Sequence, residues 1–117
     1  QLRFLEDKAD FLLIDTGAGI SDSVLSFCRA ADQVVVITNT EPTSLTDAYG
    51  IIKVLSTQSP ESKVSVLVNR VEEDEEGIHV YDRLSKVAKD FLNFDIKFMG
   101  TLPQDRNMHI AIRQQRR

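Results

Sequence analysis

The chain has 117 residues, 42% hydrophobic and 27% charged, which suits one globular domain able to bury roughly two-thirds of its unfolded surface. A formal net charge of −4 argues against a globally basic nucleic-acid binder, so no direct nucleic-acid contact is expected, though local basic patches remain open. The single cysteine, Cys28, excludes an intrachain disulfide and a multi-cysteine metal cluster.

No apolar run nears the ~20 residues that span a bilayer, and no secretory leader is seen, so a cytoplasmic protein is expected. Both ends read as cut. Gln1 opens inside what reads as the end of a helix (Leu2, Leu5), and Gln114 to Arg117 carries no visible boundary.

Phe11 to Ile14 is a short unbroken apolar run, the pattern of a strand buried on both faces of a parallel sheet. It ends on Asp15, followed by Thr16-Gly17-Ala18-Gly19. Two glycines within three residues permit unusual backbone conformations and let main-chain N–H groups approach a ligand closely. Ser21 or Asp22 then offers an N-cap for a helix from Ser21 to Ala31, with Val24, Phe27, Cys28 and Ala31 on its apolar face. On that face Cys28 reads as a buried, inert thiol.

Gln33 to Thr38 predicts a second strand, broken by Asn39 to Pro42. Thr43 or Ser44 caps a longer helix with Leu45, Ala48, Ile52 and Leu55 at spacings of three and four. Gln58 to Ser62 reads as a loop, and Lys63 to Val68 as a third strand ending on Asn69-Arg70. The acids Glu72 to Glu76 read as a solvated loop leading into a helix whose positive end tolerates them, in preference to a metal site.

Ile78 to Phe94 predicts the longest helix, with Val80, Leu84, Val87, Ala88 and Phe91 as its buried stripe and His79 an ordinary surface residue. Ile96 to Leu102 is a fourth strand, ended by Pro103-Gln104-Asp105, and Arg106 to Arg117 reads as a further helix. The alternation β-α-β-α-β-α-β-α defines an α/β fold: a parallel sheet with helices on both faces and right-handed crossovers. Asp15, Thr38-Asn39, Asn69-Arg70 and Pro103 to Asp105 then share the carboxyl rim, where such sheets bind ligands.

Strand, acid, glycine turn and helix start together suit a phosphate-and-metal site. Asp15 would hold Mg²⁺ through a water, and Gly19 would offer its N–H to a terminal phosphate. Asn69 has the donor and acceptor that read an adenine edge, Arg70 would lie against base or ribose, and Pro103 would fix a loop near the base. Two other readings stand beside this one. Asp15-Thr16-Gly17-Ala18 also matches the D-T-G-A of aspartic proteases, which would require a nearly all-β homodimer, and a non-catalytic α/β interaction module would keep the fold alone. A G-x-x-x-x-G-K-[ST] phosphate loop does not occur in the sequence.

Taken together, D-F-L-L-I-D-T-G-A-G-I-S (Asp10 to Ser21), V-V-V-I-T-N-T-E-P-T-S-L-T-D (Val34 to Asp47), V-L-V-N-R (Val66 to Arg70), F-M-G-T-L-P-Q-D (Phe98 to Asp105) and the tail A-I-R-Q-Q-R-R carry a resemblance. The chain resembles the MinD/ParA family of deviant P-loop ATPases, most of all its flagellar-number-regulator branch (FlhG/FleN, also called YlxH). The resemblance implies the carboxyl part of a single nucleotide-binding domain using ATP and Mg²⁺. Asp15 would be the acid of the second nucleotide motif, Gly17 part of its turn, and Gly19 the sensor of the γ-phosphate. Asn69 and Arg70 would lie at the adenine, with Pro103 and Asp105 on the following base loop.

It further implies an ATP-dependent homodimer, peripheral at the inner face of the membrane through a C-terminal helix not evident here. The implied partners are a flagellar GTPase, switch-complex proteins or a flagellar transcription activator. The family's two-lysine P-loop and switch I have no counterpart in these 117 residues, so the chain alone is expected not to hydrolyse ATP.

Overall fold

The computed structural model describes residues 11–103. Four strands, β1 (Phe11–Asp15), β2 (Gln33–Thr38), β3 (Val64–Val71) and β4 (Ile96–Pro103), form one sheet in the order β1-β2-β3-β4. Every neighbouring pair runs parallel. Helices α1 (Asp22–Ala30), α2 (Pro42–Gln58) and α3 (Asp74–Val87) connect successive strands. The parallel α/β architecture is the one read from the sequence. An all-β protease fold is excluded by these helices.

Register explains the core. Leu12, Val34, Val64 and Ile96 align across the sheet, and with Ile14, Val36, Val66 and Val68 they pack against Leu25 and Cys28 of α1, Ile52 and Leu55 of α2, and Val80 and Leu84 of α3. One set of alternating strand residues therefore meets all three helices. Helices were expected on both faces; the three described helices share one. The cause is topological: strands laid down in sequence order in one direction, joined by right-handed crossovers, return these three helices to the same side.

Local chemistry sets the element ends. The Ser21 hydroxyl accepts from the N–H of Val24 and caps α1. Within α1 the buried residues are Leu25 and Cys28, whereas Phe27, expected in the core, is 40% exposed. Helix α2 starts earlier than its expected Thr43 or Ser44 cap, because Pro42 takes the first helical position, where its missing N–H costs nothing.

Helix α3 starts four residues before the expected Ile78, inside the acidic run. The Glu76 carboxylate turns back to accept from the backbone N–H groups of Glu72 (2.7 Å) and Glu73 (3.3 Å), satisfying donors that the first turn leaves open. Asp74 accepts from the Thr101 hydroxyl at 2.9 Å. The acids thus build a helix start, and among the described residues no group of three or more His, Cys, Asp or Glu gathers as a metal site.

Helix α3 ends in a π turn, Ala88–Leu92, closed by Asn93 in the left-handed conformation. A π turn inserts a residue and shifts the phase of the apolar stripe. Phe91, expected in that stripe, is 76% exposed, and Phe94 enters the core at 9%. Strand β3 runs on through Asn69-Arg70, where an end was expected, and Val71 pairs with Pro103.

Candidate nucleotide site at the carboxyl rim

Because the strands are parallel, their carboxyl ends emerge together. Asp15 closes β1 and aligns with Ile37, which aligns with Leu67. Asn69 lies two residues beyond Leu67, so both side chains belong to the face opposite the helices. Two strand spacings and two residues of rise separate them by roughly 12 Å. Acid and amide, expected on one rim, share it.

Asp15 is exposed, and its Oδ1 accepts from the Gly17 N–H at 3.1 Å, folding Thr16–Ala18 into a single 3₁₀ turn. One face of the carboxylate is thereby held and the rest left to solvent. Gly19 follows at φ 74°, ψ −169°, a conformation closed to residues with a side chain, although open space surrounds its α-carbon. The backbone, not crowding, demands glycine there.

A hydroxyl cluster joins the ends of β1 and β2, and sequence reasoning missed it. The Ser44 Oγ lies 2.7 Å from Thr38 Oγ1 and 3.2 Å from Thr16 Oγ1, and accepts from the Asn39 N–H at 3.0 Å. Thr38 also donates to the Ser44 carbonyl at 3.1 Å. All three side chains are buried, so each hydroxyl depends on the others for its partners. Ser44 was read as a helix cap; the signal that could have shown otherwise is Pro42, which fixes the first turn two residues earlier.

At the end of β3, Asn69 is half-buried, and its Oδ1 is shut from solvent with no hydrogen-bond partner among the described residues. Arg70 is exposed in the left-handed conformation at φ 61°, beside an irregularity in register between Val68 and Val71. Such strain in a residue with a side chain persists only where its surroundings enforce it. Pro103 ends β4 opposite Val71 and is exposed. Asp105 and the expected tail helix lie outside the described residues. Cys28 is fully buried, and burial pushes its thiol up to about 11, against a smaller downward pull from the Arg29 guanidinium.

A parallel α/β sheet whose carboxyl rim gathers an acid, a glycine turn and a buried amide oxygen is consistent with part of a P-loop NTPase domain. No family model matches the chain. Among curated proteins it is similar to "Antiactivator FleN" of Pseudomonas aeruginosa, 39% identical over 112 residues, covering 96% of this chain and 40% of that protein. It is also similar to "Flagellum site-determining protein YlxH" of Helicobacter pylori (32% identical, 92% of this chain, 36% of that protein) and to "Septum site-determining protein MinD" of a Synechocystis strain (28%, 92% and 39%). The chain belongs to the MinD/ParA family, and it spans about two-fifths of the length of the relatives it matches. Among the described residues no helix is long and apolar enough to cross a membrane.

Proposed function

We propose that this chain is the metal-holding and base-reading part of an ATP-driven molecular switch that regulates flagellar number or placement. The observation that carries the reading is the Asn69 Oδ1, buried without a partner on the same rim and face as Asp15. An unmet buried acceptor costs about 1–3 kcal/mol, which an exocyclic amine of a purine would recover once the Asn69 side chain turned outward to meet it. The neighbouring amide N–H₂ of Asn69 would donate to a ring nitrogen, the pairing that suits adenine.

In this reading Asp15 holds Mg²⁺ through a water, and the cation supplies neutralisation of phosphate charge. The carboxylate fits that role: it is exposed and held at one oxygen by Gly17. Gly17 keeps the turn tight, and Gly19 presents its N–H to the terminal phosphate. Arg70 and Pro103 border the base, with Asp105 on the loop that follows. The phosphate-cradling lysine would come from the remainder of the full-length protein.

The wider roles follow the family: dimerisation on ATP, peripheral attachment to the inner face of the cytoplasmic membrane, and work with a flagellar GTPase, switch-complex proteins or a flagellar transcription activator. Support lies in the names of the two flagellar relatives. The test is turnover by the full-length protein, where Asp15→Ala should abolish ATP hydrolysis; an unchanged rate would end the assignment. Titration calorimetry with ATP-Mg²⁺ separates the switch from a non-catalytic interaction module, since only the latter lacks affinity.

A further inference from the structure

The residue that follows Asp15 is held by a different element. Thr16 is buried, although Asp15 and Gly17 on either side of it are exposed. Among the described residues its hydroxyl has one partner, the Oγ of Ser44, 28 residues further along the chain in the first turn of α2. Counting protons gives this link a direction, because a hydroxyl has one proton and two lone pairs. Thr38 directs its proton to backbone, the Ser44 carbonyl at 3.1 Å with that of Asn39 at 3.4 Å, so at 2.7 Å from Ser44 Oγ it accepts. Ser44 therefore donates to Thr38, and its oxygen accepts from the Asn39 N–H at 3.0 Å and from the Thr16 hydroxyl at 3.2 Å. The bonds run one way, from Thr16 through Ser44 to Thr38 and back to the α2 backbone. The Ser44 hydroxyl is saturated, and burial of all three side chains keeps bulk water from competing.

We propose that Ser44 is a positioning residue for Asp15: by receiving the Thr16 hydroxyl it anchors the glycine turn to α2 and sets where the Asp15 carboxylate stands on the rim. The bond from the Gly17 N–H to Asp15 Oδ1 is local and exposed, so it fixes the carboxylate only relative to its own turn. The turn leaves through Gly19, which has open space where a side chain would stand, so Thr16 is its anchored end. The same Ser44 oxygen holds the Asn39 N–H, and the Asn39 side chain accepts from the Glu41 N–H at 2.8 Å. One hydroxyl thus ties the loop after β1 to the loop after β2. The consequence for a metal ion rests on the role proposed for Asp15 in the nucleotide site, whereas the anchoring itself does not.

The experiment uses the full-length protein. Thr16→Val removes the donor and keeps the shape, leaving Ser44 its bonds to Asn39 and Thr38, and Thr16→Ser keeps the hydroxyl. Amide exchange at Gly17, followed by NMR without nucleotide, should quicken about tenfold in Thr16→Val, the effect of one lost hydrogen bond on opening of the turn. It should stay near wild type in Thr16→Ser, and the Val36 amide in β2 should not change in either. In ATP turnover, Thr16→Val should raise the Mg²⁺ concentration for half-maximal rate by about tenfold or more, as loss of a group that orients a metal-holding side chain does. Thr16→Ser should restore it. Ser44→Ala should reproduce the Mg²⁺ defect and also lower the melting temperature, because it strands the Asn39 N–H and the Thr16 hydroxyl. Unchanged Gly17 exchange in Thr16→Val, or a lower melting temperature with normal Mg²⁺ dependence in a protein that needs Asp15 for turnover, would overturn the proposal. If Asp15→Ala turns over ATP like wild type, the nucleotide role of the rim fails instead, and Gly17 exchange alone decides whether Ser44 anchors the turn.

Discussion

The side chain of Thr101 on β4 occupies the space where a side chain on Gly77 of α3 would begin: a Cβ at Gly77 would collide with the Thr101 methyl, with Val68 Cβ only 3.5 Å away. The same threonine donates to Asp74, one turn earlier on α3. The amino end of α3 is therefore seated on β3 and β4 at backbone distance, next to the irregular end of β3 that carries Asn69 and Arg70. Gly77→Ala should destabilise the protein by about 1–3 kcal/mol through overpacking, read as a lower urea midpoint. Thr101→Ser removes the obstructing methyl and keeps the hydroxyl, so the double variant should recover part of that loss. Full additivity of the two substitutions would mean they do not meet.

Asn69 should respond oppositely in the free and nucleotide-bound protein. With its Oδ1 unpartnered, Asn69→Ala removes an unmet acceptor and should change the stability of the free protein by less than about 1 kcal/mol. In the full-length protein the same substitution should weaken ATP binding by about tenfold or more. Thermal melts with and without ATP-Mg²⁺ compare the two directly, because a ligand shifts stability according to its affinity.

Arg70 is held at φ 61°. Arg70→Gly relieves that conformation and should raise the stability of the free protein by up to about 1 kcal/mol, offset in part by the greater chain entropy of glycine. Arg70→Ala keeps the strain and should not. Equal stability of the two variants would show that the backbone there is relaxed.

The acidic run should separate into carboxylates that carry structural hydrogen bonds, Glu76 and Asp74 among them, and ones left to solvent, such as Glu75. Glu76→Ala loses the acceptor for the Glu72 and Glu73 N–H groups and should cost about 1 kcal/mol. Glu75→Ala, exposed and without such a bond, should fall within about 0.5 kcal/mol of wild type. Denaturation midpoints of the two variants check this.

Cys28 makes the stability depend on alkaline pH with a defined sign. Its folded value is about 11 against an ordinary 9.0, so between these values the folded state binds more protons than the unfolded one. The thiol's contribution is whole below about pH 9 and is lost as pH rises towards 11, on the order of 1–3 kcal/mol in all. The stability difference between wild type and Cys28→Ala should therefore move against the wild type across that window. A difference that stays flat from pH 8 to 11 would show the thiol titrating normally.

Particular residues show why some of this was legible in the chain. Continuous apolar runs such as Val34 to Ile37 admit only strands covered on both sides, and helical spacing between them forces parallel crossovers. From that alone, Asp15, Asn69 and Pro103 had to share a rim. The acidic run was also readable, because charge at a helix start follows from local electrostatics. Phe27 and Phe91 were misread because an apolar residue at helical spacing belongs to the core only if the helix keeps its phase and its expected face. The π turn at Ala88–Leu92 broke that phase for Phe91.

What the sequence determined by itself was the α/β class, the parallel strands and the end of the sheet at which chemistry could occur, since these depend on periodicity and short-range backbone preference. Tertiary structure alone decided the common side for all three described helices, the Thr16–Ser44–Thr38 hydroxyl cluster and the unpartnered Asn69 oxygen. Each of these joins residues tens of positions apart, or depends on which atoms burial leaves without a partner. No local pattern encodes either, because both arise only when the packed elements close around one core.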